Sequence, residues 1–132
     1  MKKIKRLCLC ASLSLVTMLA LTSPMFANSF GFSSIVPEAQ MWKEIGGTSK
    51  SYSSSYGYVT VDYTKSEAVS FYAYTSNGGV GPATTVRYDQ VGQARTLGFG
   101  ATYGGGQYIN VKLRNSNWSL NMGSIAGTID VQ

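Results

Sequence analysis

From residue 108 to residue 114 every second side chain is aliphatic: Ile109, Val111 and Leu113 alternate with Asn110, Lys112 and Arg114. A β-strand sends successive side chains to opposite faces, whereas a helix groups them every three to four residues. This segment therefore reads as a strand with one buried face and one wet face. The same period recurs along the chain. In 56–64, Val59, Val61 and Tyr63 point one way, and Tyr58, Thr60 and Asp62 the other. In 68–75, Val69, Phe71 and Ala73 alternate with Ser70, Tyr72 and Tyr74. Leu97, Phe99, Ala101 and Tyr103 share a face opposite Gly98 and Gly100; Trp118, Leu120 and Met122 repeat the pattern, as do Ile125, Ile129 and Val131.

Turn residues separate these runs. Asn77-Gly78-Gly79, Gly81-Pro82, Gly92, Gly104-Gly105-Gly106 and Asn115-Ser116-Asn117 fall between them, where left-handed or sharply bent backbone favours glycine, proline and asparagine. Residues 28–36, with Phe30 and Phe32 on one side, read as a further edge strand. Residues 37–45 are the only stretch with room for a helical turn, which Gly46-Gly47 would end. Strands spaced by about 8–12 residues predict an all-β fold, an antiparallel β-sandwich of about six to eight strands. The strands are expected to be too few, and their outer faces too polar, for a membrane barrel.

Residues 1–27 precede this region and have another character. Lys2, Lys3, Lys5 and Arg6 are followed by an apolar run from Leu7 to Leu21 and a short segment broken by Pro24. That order is the pattern of a signal peptide, with cleavage expected after Ala27. The apolar run is short for a spanning helix of about 20 residues, so no integral membrane span is expected after cleavage. Cys8 and Cys10 lie at the start of the apolar run, away from the cut, which argues against a lipoprotein. Residues 28–132 are then a single exported domain, too short for two ordinary ones.

The chain's formal net charge of +5 belongs mostly to the leader. Beyond it, seven basic residues stand against six acids, leaving +1. Such a chain lacks the clustered Lys and Arg of a nucleic-acid binder. It has no histidine, and both cysteines lie within the leader. A Ser-His-Asp triad, a thiolate nucleophile and a Cys- or His-based metal site are thereby excluded from the exported part. The six carboxylates, Glu38, Glu44, Asp62, Glu67, Asp89 and Asp130, are scattered. None forms the facing pair that glycosidic hydrolysis needs, nor the close oxygen cluster of a calcium loop. No catalytic residue, cofactor or metal is expected. Gly98-Phe99-Gly100 with Gly104 misses the dinucleotide-binding spacing.

The tyrosines are the candidate binding residues. Tyr52, Tyr56 and Tyr58 occupy even positions of one extended run, and Tyr72 and Tyr74 share a face of the next. Were those two strands a hairpin, the five would form one aromatic strip. Exposed aromatic strips stack on sugar rings or pack on a partner. A cell-wall glycan or an envelope protein is the partner expected of such a strip.

Several segments together carry a resemblance. Ser29-Phe30-Gly31-Phe32, the Tyr/Val/Thr run 58–64, the aromatic run 69–74, the stretch 109–115 and Gly127-Thr128-Ile129-Asp130 resemble an uncharacterised family of small secreted proteins of Gram-positive bacteria, a domain of unknown function. The likeness spans most of 28–132 and implies secretion, with no enzyme activity and no known ligand. Gly46-Gly47-Thr48 and residues 52–58 are also similar to the N-terminal part of lactococcin-like bacteriocins, which are small secreted two-sheet proteins. The histidines and tryptophan usual there are missing. The sequence thus predicts a non-enzymatic extracellular binding module, with a bacteriocin-like antimicrobial protein as the alternative.

Overall fold

The computed structural model describes residues 28–118 and 122–132. The leader assigned to 1–27, its cleavage after Ala27, and Leu120 of the Trp118–Met122 pattern lie outside the described residues. Eight strands follow one another: β1 (Ser29–Val36), β2 (Lys43–Ser49), β3 (Ser54–Thr64), β4 (Ala68–Tyr74), β5 (Thr84–Arg87), β6 (Ala94–Tyr103), β7 (Tyr108–Asn115) and β8 (Gly123–Asp130). They form two four-stranded sheets, sheet A in the order β1-β8-β3-β6 and sheet B in the order β2-β7-β4-β5. Every pairing is antiparallel. The all-β, antiparallel two-sheet fold expected from the alternation is the one observed.

The alternation builds the core directly. Sheet A turns Phe32, Val36, Val59, Val61, Leu97, Phe99, Ile125 and Ile129 inward, and sheet B supplies Val69, Phe71, Ala73, Val86, Ile109, Val111 and Leu113. Phe32 and Phe71 meet across the interface edge to face, with ring centroids 5.7 Å apart, the arrangement their quadrupoles favour. With no cysteine in residues 28–132, apolar burial and backbone pairing hold these sheets together.

Sequence neighbours are seldom sheet neighbours. Only β4 and β5 are consecutive and paired; every other connection carries the chain from one sheet to the other. The link from β3 to β4 is Lys65-Ser66-Glu67, stabilised by the Ser66 amide donating to Thr64 Oγ1 at 3.0 Å. β3 and β4 therefore face each other as parts of different sheets, and do not make a hairpin.

Local expectations fail where the period is interrupted. Residues 37–45 hold no helical turn; a single 3-10 turn forms instead at Tyr88–Gln90, between β5 and β6. Met41 N donates to Glu38 O at 3.2 Å, Ala39 and Gln40 take left-handed φ values of 55° and 57°, and β2 then begins at Lys43. Gly46-Gly47 does not end an element but lies inside β2. The register slips between Glu44 and Gly46, and Gly46 adopts φ +135° beside the Phe30 ring, a conformation that suits only glycine. A second slip between Val61 and Tyr63 turns Tyr63 outward, away from the face of Val59 and Val61 expected for it, and buries Thr64 instead. Gly100 at φ +79° ends the alternation in β6, so Ala101 is exposed while Tyr103 packs partly on the core. Trp118 and Met122 are exposed and lie outside any strand.

Candidate functional site

Four of the five tyrosines lie on opposite outer faces, Tyr56 and Tyr58 on sheet A and Tyr72 and Tyr74 on sheet B, while Tyr52 lies in the link between β2 and β3 and not in an extended run with them. On sheet A, Tyr56 and Tyr58 stand side by side with ring centroids 5.7 Å apart at 82°. The Tyr58 hydroxyl is held above its usual pKa by its hydrogen bond to Tyr56 and by that group's charge, with Tyr52 and burial adding to the shift and Gln132 opposing it. Tyr72 and Tyr74 lie on the outer face of sheet B. In the cross-strand rows of sheet B, Glu44 pairs with Lys112 and Lys112 with Tyr72, while Gly47 pairs with Asn110 and Asn110 with Tyr74.

The sheet B group contains more than tyrosines. Trp42, immediately before β2, stands edge to face on Tyr72 with centroids 4.2 Å apart at 85°. The Lys112 ammonium lies 4.9 Å from the Trp42 ring centre and 5.1 Å from that of Tyr74. The Arg114 guanidinium lies 4.6 Å from Trp42 and 5.5 Å from Tyr72, and its Nη2 donates to the Tyr72 hydroxyl at 3.1 Å. Two cations two residues apart on β7 necessarily share its outer face, and β4 brings two aromatic rings alongside. The indole covers the aliphatic stems and attracts both charges.

The turn that places Trp42 is held from both sides. Gln40 Nε2 donates across to Ser116 O at 2.9 Å, which fixes the two left-handed residues before it. Trp42 keeps 40% of its surface exposed, so the ring is supported by the sheet yet open to a ligand.

Tyr74 closes the other end. Burial, then its hydrogen bond to Glu44 and that carboxylate's charge, pushes its hydroxyl up to about 12 from the ordinary 10.0. Between those values the unfolded chain loses this proton before the folded one does, so folding stability falls as the pH rises through that window. Chemical denaturation across it is expected to show a steeper loss for the native protein than for Tyr74→Phe. Parallel curves for the two would contradict the assignment.

A third cation, Lys50, is treated differently. Lys50 is only 2% exposed. Its ammonium donates to Val131 O at 3.0 Å and to Ser54 Oγ, and lies 4.6 Å from the Phe99 ring centre. Burial lowers its pKa, with Asp130 acting against the shift. Lys50 is thus a satisfied structural cation tying the start of β3 to the end of the chain.

Two hollows lie elsewhere. One of about 230 Å³ is bounded by Lys65, Ser66, Glu67, Asn115, Asn117 and Met122. A more open groove of about 450 Å³ runs between the edge strands β5 and β6, past Thr85 and Arg95. Neither is lined by the aromatic cluster. Among the described residues no three His, Cys, Asp or Glu side chains come together.

The sequence pointed to Tyr72 and Tyr74 but not to Trp42, Lys112 or Arg114 as their companions. The alternation in 108–114 already put Lys112 and Arg114 on the wet face; what it lacked was the pairing of β7 with β4. Comparison of the chain with protein-family models, with curated proteins and with solved structures finds no match.

Proposed function

We propose that this protein is exported and works outside the cell as a non-enzymatic binding module, holding a cell-envelope glycan on the outer face of sheet B. The observation that carries this reading is the exposed indole of Trp42, braced by Tyr72, Lys112 and Arg114. A flat ring fixed by a rigid sheet offers the apolar face on which a sugar ring stacks. Lys112 and Arg114 beside it, and Glu44 and Asn110 further along the same sheet, offer the donors and acceptors that sugar hydroxyls need. The leader-like order of residues 1–27 supports export. Tyr52, Tyr56 and Tyr58 are a separate group, which this reading leaves out of the site.

The test is co-sedimentation of the purified protein with insoluble cell-envelope polysaccharide. Trp42→Ala is expected to weaken binding at least tenfold, about 1.4 kcal/mol, with Tyr72→Ala close behind. Tyr56→Ala and Tyr58→Ala should bind as the native protein does. The reverse ranking moves the site to sheet A. Killing of a related strain without any glycan binding would favour the bacteriocin-like alternative.

A further inference from the structure

The charges on the Trp42 face are unbalanced. Among the described residues the one ion pair joins Arg87 to Asp89 at 3.7 Å, between two exposed side chains. All six carboxylates of the chain are in the described residues, and none forms an ion pair with Lys112 or Arg114. Glu44, opposite Lys112 in the register, is the acid nearest in the sheet pairing, yet the two make no ion pair. Arg114 uses Nη2 on Tyr72, while its Nε is buried and has no acceptor among the described residues.

We infer that the ligand of this face is an anionic glycan, whose sugar ring stacks on Trp42 while a phosphate or carboxylate group is held between Lys112 and Arg114. This rests on the glycan reading and adds the ligand's charge to it. The guanidinium presents its donors in a planar fork suited to either anion, and the ammonium adds a compact second charge. The anion bridges the Lys112 ammonium and the guanidinium donors of Arg114 other than the Nη2 that bonds Tyr72. The aromatic rings confine the two cations and lower the local dielectric, which strengthens their pull on an incoming charge.

Three soluble polymers of matched length test this: a poly(glycosyl phosphate), a polyuronate and a neutral glucan. Equilibrium binding to at least one anionic polymer is expected to be tenfold or more tighter than to the neutral one. It should weaken as salt is raised, because exposed charges are screened. Lys112→Gln, a half-buried surface change, should lower anionic binding about tenfold and remove most of its salt dependence, while weakening binding to the neutral glucan far less. Arg114→Gln should do the same, and Arg114→Lys should retain part of the salt-dependent component. Preference for the phosphate or for the uronate polymer identifies which anion the site takes. Equal, salt-independent binding to all three polymers overturns the anionic inference and leaves the glycan reading standing. Absence of binding to all three, in protein whose circular-dichroism spectrum is that of a sheet, overturns both.

Discussion

Phe71→Ala is expected to destabilise the protein by about 3–5 kcal/mol, the usual range for truncating a fully enclosed aromatic ring. Phe71 is 0% exposed. It is paired with Leu113 on one side and Thr84 on the other, and it meets Phe32 of the opposing sheet edge to face. Its neighbours are fixed by strand pairing on both sides, so the sandwich cannot collapse into the space the ring leaves. Natural domains are stable by only about 5–15 kcal/mol, so this one change removes a large share of the total. Urea denaturation measures it as a lower midpoint at an unchanged slope. A loss below about 1 kcal/mol would mean that Phe71 is not at the interface of two sheets.

Gly127→Ala should cost about 2–3 kcal/mol, through crowding instead of a void. Gly127 lies in the middle of β8, between Phe32 of β1 and Val61 of β3. A Cβ there would collide with the Thr60 carbonyl oxygen and come within 3.0 Å of both Phe32 Cζ and Val61 Cα. Two of those are backbone atoms of a paired strand, so relief requires β3 and β8 to separate. Gly104→Ala is the matched control. It lies in the turn between β6 and β7 with nothing near its missing Cβ, and its stability should change by less than about 0.5 kcal/mol. Equal effects at the two glycines would show that the close approach of β8 to β3 is wrong.

How much of this fold the sequence revealed depended on local regularity. Strands β4, β7 and β8 were legible because Val69-Phe71-Ala73, Ile109-Val111-Leu113 and Ile125-Gly127-Ile129 keep the period of two without interruption. β2 was not, because Lys43-Glu44-Ile45-Gly46-Gly47 has no alternation and carries a bulge. It is a strand because β7 offers it an edge, which is a non-local cause. Tyr63 was misassigned for a related reason: a one-residue bulge inverts every side chain after it.

The candidate site was half legible. Tyr72 and Tyr74 stood out by spacing, but the strip joining them to Tyr52, Tyr56 and Tyr58 required β3 and β4 to pair. The arch at Lys65-Ser66-Glu67 sends them to different sheets. Trp42 carried no periodic signal at all. Its place over Arg114 comes from the turn at Ala39 and Gln40 and from the tether of Gln40 to Ser116, two features that exist only once β7 is in position.

The most direct test of the account is a fluorescence titration. The chain has two tryptophans, so Trp118→Phe leaves Trp42 as the sole reporter, and Trp118 is 79% exposed and outside the site. Titration with whichever polymer the protein binds should produce a saturable change in emission, with a midpoint equal to the dissociation constant measured by sedimentation. Saturated binding with Trp42 emission unaltered would place the ligand on another face and contradict the assignment of sheet B.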